Sequence, residues 1–214
     1  MTNKTILDVS RWQGRIDWDA VKASGKIDGV MLRVLGSKGG KPYLDPQFER
    51  NYAACARLGL PVGGYYYSTA TTQAQADAEL AALKAALTGK TLGMPVAVDI
   101  EDSKLTALYP PKLTDLVAYE LGVVQSWGVY AMLYTGLYFG QKNLYMGGAA
   151  LKPYDVWLAA YRSTKPYPGW PFGMWQYTAE GTVPGISGPV DLSRAYKDYA
   201  GIIQRAGLTG VKGG

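Results

Sequence analysis

The sequence predicts an α/β fold, a single (β/α) barrel of the TIM-like kind, closed or nearly closed on itself. Three observations carry this. About eight short apolar runs alternate with helical stretches, an alternation that implies a parallel sheet with right-handed crossovers. The chain has 214 residues, which suits one barrel domain. Hydrophobic residues make up 48% of it, enough to fill a sizeable core.

The elements follow in order. The first apolar run is 6–9. Residues 17–25 read as a short helix with Asp17 as its cap and Gly25 as its stop. Residues 29–35 have the composition of a buried strand, 36–41 read as a Gly/Lys loop, and 46–58 place apolar residues at helical spacing up to Gly59. The third strand is expected at 61–67. Residues 72–87, rich in Ala, Leu, Gln and Glu, read as a helix. Strands are expected at 94–100 and 129–134, with a helix at 111–127 between them that stops at Gly128. The last three strand candidates, 155–160, 173–177 and 190–192, carry a weaker signal. Helical patterning is thin between them, around 165–171 and 182–189, so the barrel is expected to be irregular there. Residues 193–205 read as a closing helix capped by Ser193. The domain is thus 1–207, with 208–214 as a flexible tail containing three glycines.

Composition narrows the chemistry. The chain has no His, which removes Ser-His-Asp and Cys-His nucleophile schemes and the usual His-bound zinc sites. Cys55 is its one cysteine, so no intramolecular disulfide forms, and its helical setting reads as a buried structural thiol. Carboxylate, Tyr, Lys and Arg chemistry remain. The net charge of +5 favours approach to anionic surfaces, including bacterial walls. The basic residues are scattered and form no nucleic-acid motif, so nucleic acid is not an expected partner. No apolar run reaches the length of a membrane span, and the N-terminus lacks a charged-then-apolar leader pattern. Synthesis in the cytoplasm without a signal peptide and no membrane insertion are the expectations.

Residues 95–102 (PVAVDIED) are the most informative stretch. An apolar run leads into Asp99 and Glu101. Residues two apart on a strand share a face, with Cα atoms roughly 6.6 Å apart. Both carboxylates then sit at the C-terminal end of a barrel strand, where catalytic residues of such barrels collect. Two close carboxylates in a partly apolar site raise one another's pKa, and one becomes a general acid near neutral pH. Glycoside hydrolysis needs such a pair. A solvated strand end and a Mg or Ca site are the competing readings of Asp-x-Glu alone.

Other residues give the pair a setting. Asp8 ends the first strand candidate and Asp191 lies near the end of the last, so closure of the barrel would bring them to one rim. Asp17 and Asp45 each precede a helix and read as caps. Aromatics collect at the same strand ends: Tyr65 and Tyr67 share one face while Tyr66 points away, Tyr134 ends the fifth strand, Trp157 and Tyr161 close the sixth, and Trp175 with Tyr177 the seventh. Sugars stack on such rings, and Tyr hydroxyls and Gln amides bond their polar groups.

These pieces resemble glycoside hydrolase family 25, the Chalaropsis-type lysozymes common among phage endolysins and bacterial or fungal muramidases. The likeness rests on DVSRWQG at 8–14 with IDW at 16–18, DPQF at 45–48 with Asn51, GGYYY at 63–67, DIE at 99–101, WLAAY at 157–161, WQY at 175–177 and Val190-Asp191. It implies an irregular, flattened β/α barrel that cleaves the β-1,4 bond between N-acetylmuramic acid and N-acetylglucosamine of peptidoglycan. By position Glu101 corresponds to the general acid. Asp99 corresponds to the second carboxylate, either a nucleophile or a helper to the substrate's acetamido group. Asp8 and Asp191 correspond to acidic positions that tune charge and bind substrate, Tyr65 and Trp175 to sugar-facing aromatics, and Arg33 to a basic residue of the second strand. Tyr66-Tyr67 departs from the family's His-Phe, and 35–40 departs from a more acidic version.

A monomeric muramidase of the endolysin kind, acting without a metal or organic cofactor, made in the cytoplasm and released to the wall by a holin or otherwise exported, is therefore the leading reading. A cell-wall carbohydrate-binding protein that keeps the cleft without turnover is the second. A chitin-directed glycosidase is a third, disfavoured because the longer acidic strand signature of chitinases is absent.

Overall fold

The computed structural model describes residues 3–39 and 41–212. The strands are β1 (Lys4–Val9), β2 (Gly29–Lys38), β3 (Lys41–Leu44), β4 (Val62–Tyr67), β5 (Val96–Asp99), β6 (Ala131–Gly136), β7 (Asp155–Ala159), β8 (Met174–Gly181) and β9 (Val190–Ala195). The helices are α1 (Trp18–Ala23), α2 (Phe48–Arg57), α3 (Gln73–Leu87), α4 (Pro110–Ser126), α5 (Leu137–Asn143) and α6 (Tyr199–Ala206). Pairing runs β1-β9-β8-β7-β6-β5-β4-β2, and β1 also pairs with β2, so eight strands close into a ring. Strand β3 hangs outside it on β2.

The barrel is mixed, which corrects the expectation of a wholly parallel sheet. Strand β9 runs antiparallel to both its neighbours, β8 and β1. A parallel return needs a crossover of a dozen or more residues, usually helical, and the short 182–189 segment supplies none. The thin helical signal there thus marks a real irregularity. The segment 36–41 is also corrected. Residues 36–38 continue β2 and Lys41 opens β3, with Leu35 opposite Leu44 and Lys38 opposite Lys41, while Gly40 lies outside the described residues. Gly and Lys rank low in strand propensity, and the cross-strand pairing overrides that. Ser193 lies inside β9, buried, where its Oγ accepts from Trp157 Nε1 at 2.9 Å. The closing helix begins later and is capped by Asp198. Helix α5 was not anticipated. Residues 208–212, expected as a loose tail, are tied to the body: Leu92 N donates to Thr209 O at 2.7 Å and Lys212 N to Trp127 O at 2.9 Å. Gly213 and Gly214 lie outside the described residues.

Strand periodicity sorts the side chains into two cores. Val30, Leu32, Val34, Val62, Val96, Val98 and Leu133 face outward against the apolar stripes of α2, α3 and α4. Cys55 belongs to this layer, and burial pushes its thiol up to about 12. Met31, Ala97, Met132, Tyr134, Trp157, Met174 and Ala195 fill the barrel interior. Each large side chain fully buried this way contributes about 1.5–3 kcal/mol. Inward positions continue upward beyond this plug, and there they turn polar: Asp8, Arg33, Tyr65, Asp99, Gln176 and Asp191.

Candidate active site

Asp99 is the last residue of β5, and Glu101 stands just past the strand end. Neighbouring strands pin the backbone between them. Ser68 N donates to Asp99 O at 3.1 Å, and Ile100 N donates to Tyr134 O at 3.0 Å. Thr135 Oγ1 donates to Ile100 O at 2.8 Å. The chain cannot shift along the barrel without breaking these bonds, so the spacing of the two carboxylates is set by the sheet.

Asp8 and Asp191 are register partners on β1 and β9, so closure of the ring brings together residues far apart in sequence. Gln176 ties the rim together. Its Nε2 donates to Asp8 Oδ2 at 3.0 Å, while its Oε1 accepts from Tyr134 at 2.9 Å and from Tyr161 at 3.0 Å. Tyr67 donates to Asp102 Oδ2 at 3.0 Å, and Asp102 in turn caps the turn that follows it. Arg33 Nε donates to Asp45 Oδ2 at 2.8 Å, and its Nη2 approaches the same oxygen at 2.7 Å. Asp45 also accepts from Arg11 N and Gln47 N. Asp17 caps α1 as expected, but Asp45 is a buried clamp on Arg33 rather than a simple cap.

The carboxylates raise one another's proton affinity. Burial lifts Asp99 well above the ordinary carboxylate range, helped by Glu101 and Asp8 and opposed by Arg33. Glu101 opens onto the cleft, yet loss of bulk water on its other sides raises its pKa, and Asp191 and Asp102 add to this. Asp8 is raised by burial and by Asp191, against Tyr65 and Arg33. Asp191 is raised by burial and then by Glu180. Burial and the neighbouring carboxylates therefore favour the protonated forms of Asp99 and Glu101 more than in isolated carboxyls. Asp8 Oδ1 and Asp99 Oδ1 are buried with no hydrogen-bond donor among the described residues. A buried acceptor left unpaired is costly, by about 1–3 kcal/mol.

Two hollows meet at Glu101. One, of about 370 Å³, is lined by Asp8, Arg33, Tyr65, Tyr67, Asp99 and Asp191 and rimmed by Arg11, Trp12 and Tyr43. The other, of about 570 Å³, is lined by Tyr134, Leu137, Tyr138, Phe139, Tyr161 and Arg162. Glu101 lines both. The result is one cleft across the barrel mouth with the open carboxyl at its middle.

Nine of the sequence-predicted residues gather at this cleft: Glu101, Asp99, Asp8, Asp191, Tyr65, Tyr67, Tyr134, Tyr161 and Arg33. Trp157 and Trp175 do not, and each is only 1% exposed. Trp157 faces inward but lies below the mouth, edge-on to Tyr134 at 4.7 Å between centroids, as a platform for the rim. Trp175 faces out of the barrel, where its Nε1 donates to Ala160 O at 2.8 Å. Its neighbour Gln176 takes the inward position. Strand parity could have found Gln176 from the sequence, since it alternates with Met174. Arg11, Trp12 and Tyr43 were also missed, because loop closure and an unforeseen hairpin bring them to the rim.

A barrel mouth that holds four carboxylates around a long, aromatic-rimmed cleft defines a glycoside hydrolase. The family model for glycosyl hydrolases family 25 matches residues 7–186, and the chain belongs to that family. It is 32% identical to the uncharacterized protein YegX of Escherichia coli K12 over 192 residues, covering 87% of this chain and 67% of that one. It is 27% identical to lysozyme M1 of Streptomyces globisporus over 221 residues, covering 95% of this chain and 71% of that one. The fold matches that of a bacterial lysozyme from Streptomyces coelicolor with a TM-score of 0.76 at 23% identity, over 97% of each chain.

Proposed function

We propose that this protein is a muramidase, hydrolysing the β-1,4 bond that follows N-acetylmuramic acid in peptidoglycan. The observation that carries this reading is the carboxylate pair at the centre of the cleft, Asp99 buried and Glu101 lining both hollows. Glu101 is the member open to both hollows, so it is the group able to reach a glycosidic oxygen from within a bound strand. In this reading it acts as general acid, protonating the leaving oxygen, and as general base in the second step. Asp99 is buried behind it with a free acceptor oxygen. That oxygen suits the N–H of the substrate's 2-acetamido group, and the orientation it imposes makes the acetamido carbonyl oxygen the attacking atom. Asp8 and Asp191 add negative charge that favours the oxocarbenium-like transition state, and Gln176 keeps Asp8 in place. Tyr65, Tyr67, Tyr134 and Tyr161 bind the sugars, with Trp157 and Trp175 supporting the rim from beneath and outside.

Action as a monomer is part of the same reading. The relatives named as lysozymes support the bacterial wall as the place of action. Among the described residues no helix is long and apolar enough to cross a membrane.

The test is product analysis. Purified protein is incubated with peptidoglycan, and the new reducing ends and their initial anomeric form are identified. Muramic acid ends released with retained configuration are expected. Glucosamine ends would move the cleavage to the other bond, an inverted anomer would remove acetamido participation, and binding without new ends would make the protein a wall-binding module.

A further inference from the structure

The two hollows differ in charge: beyond the shared Glu101, one carries three further carboxylates and two arginines, the other a single arginine. The hollow that holds Asp99 and Glu101 also holds Asp8 and Asp191, so an anionic group bound there needs a cation to receive it. Two arginines line it. Arg33 is spent on the buried Asp45, at 2.7 Å. Arg11 has no carboxylate partner among the described residues. Its guanidinium instead lies over two rings, 4.7 Å from the centroid of Trp12 and 5.6 Å from that of Tyr43. Trp12 is itself 73% exposed, so the group stands at the open rim.

This placement is built. Arg11 N donates to Asp45 Oδ2 at 3.0 Å, which ties its turn to the segment after β3. Ser10 and Gln13 close that turn with reciprocal capping bonds. Tyr43 reaches the guanidinium because Gly36 lies opposite it on β2, where any Cβ would overlap the tyrosine ring. A guanidinium stacked on ring faces keeps its N–H donors at its edge free, and stacking has already restricted its rotamers. Such a fork is fitted to an oxyanion with two oxygens, above all a carboxylate.

We propose that Arg11, held between Trp12 and Tyr43, receives a carboxylate carried by the substituent of a muramic acid residue, and so sets the preference of the cleft for substituted glycan over plain N-acetylglucosamine polymers. The proposal rests on the muramidase reading and names the feature of the substrate that this half of the cleft recognises. The carboxylate has two sources: the peptide stem of an intact strand, or the lactyl group itself once the stem has been removed.

The test measures binding rather than turnover, using Glu101→Gln as the parent protein. Dissociation constants are obtained by calorimetry at low salt for three ligands: glycan strands with peptide stems, the same strands stripped by an amidase, and a chitooligosaccharide without carboxylates. Adding Arg11→Gln is expected to shrink the preference for carboxylated strands over chitooligosaccharide by about five- to tenfold, a change that added salt reproduces in the parent. Loss confined to stem-bearing strands assigns the stem, and loss confined to stripped strands assigns the lactyl carboxylate. Arg11→Lys, which keeps the charge and loses the fork, should fall between. It carries the test, with the salt series, if Arg11→Gln does not fold. Equal weakening of all three ligands, or of none, overturns the proposal, as does transfer of the effect to Arg162→Gln. A parent that binds no glycan at all fails the muramidase reading itself.

Discussion

Two sets of acids are buried in this barrel, and they are treated in opposite ways. At the mouth, Asp8 and Asp99 are 7% and 3% exposed, and each keeps an oxygen without a donor among the described residues. Behind β4, between α3 and α4, Glu79 and Glu120 are 0% and 1% exposed. There Ser68 Oγ donates to Glu79 Oε2 and Tyr66 to Glu120 Oε2, both at 2.8 Å, and Thr69 N donates to Glu79 Oε1 at 3.2 Å. Neither glutamate leaves a buried oxygen unpaired. A buried polar group that serves structure is satisfied. One left unsatisfied stores free energy that a ligand or transition state can recover. The comparison separates function from architecture among residues of the same chemistry.

The largest expected effect tests the functional side. Glu101→Gln should lower kcat on peptidoglycan by about 10³-fold, in line with removal of a general acid. Because Glu101 opens onto the cleft, where its side chain is exposed, stability should hold within about 0.5 kcal/mol. Wild-type turnover in this variant would remove Glu101 from the acid role. Asp99→Asn follows, with an expected loss of about 10²-fold in kcat and a melting temperature no lower than wild type, since a buried, unpaired carboxyl is being replaced. A fall of several degrees would show that Asp99 supports the fold and would collapse the distinction drawn above.

The same contrast explains what could be seen in the sequence. The pair Asp99 and Glu101 was legible because strand parity and a strand end are local properties. The meeting of Asp8 with Asp191 followed from closure alone. Glu79 and Glu120 were invisible as a pair. Each sits in a helix of mixed composition, and only the packing of α3 against α4 behind Tyr66 joins them. Tyr66 was read as pointing away from Tyr65 and Tyr67, and that is where Glu120 meets it. The tryptophans were misplaced for the opposite reason. Motif likeness picked out Trp175, while a count by twos from Met174 puts Gln176 inside. The last third of the chain gave weak signals because β8 and β9 join without a helix, so no periodic segment marks their orientation.

On the structural side, Glu120→Ala should cost about 3 kcal/mol in urea or thermal unfolding, because it opens a cavity and strands the hydroxyl of Tyr66. Its effect on kcat should be far smaller than that of Asp99→Asn. The two sets are linked through the β4–β5 ladder and the bond from Ser68 N to Asp99 O. A loss of turnover as large as that of Asp99→Asn, with stability unchanged, would mean that the two acid sets form one functional unit.

The smallest effect is the sharpest, because its sign depends on protonation. Burial, with Glu79 adding to it and Tyr66 and Ser68 opposing, moves Glu120 from 4.5 up to about 8. In the unfolded chain its carboxyl ionises near its ordinary value. Between those two limits the folded protein holds a proton that the unfolded chain has released. The stabilisation this provides is complete below the unfolded pKa and drains away as pH rises toward 8. Between pH 5 and 7 the share due to Glu120 is about 2 kcal/mol. The mouth acids drift the same way, so wild type alone does not isolate it. Glu120→Gln does, since the amide is uncharged throughout and of similar shape. Near pH 5 the variant should match wild type or fall slightly below it. By pH 7 it should be the more stable of the two, with a melting temperature that declines less steeply. Parallel curves for the two proteins would mean that Glu120 ionises inside the fold without penalty, and the hydroxyls around it would then be serving a carboxylate rather than an acid.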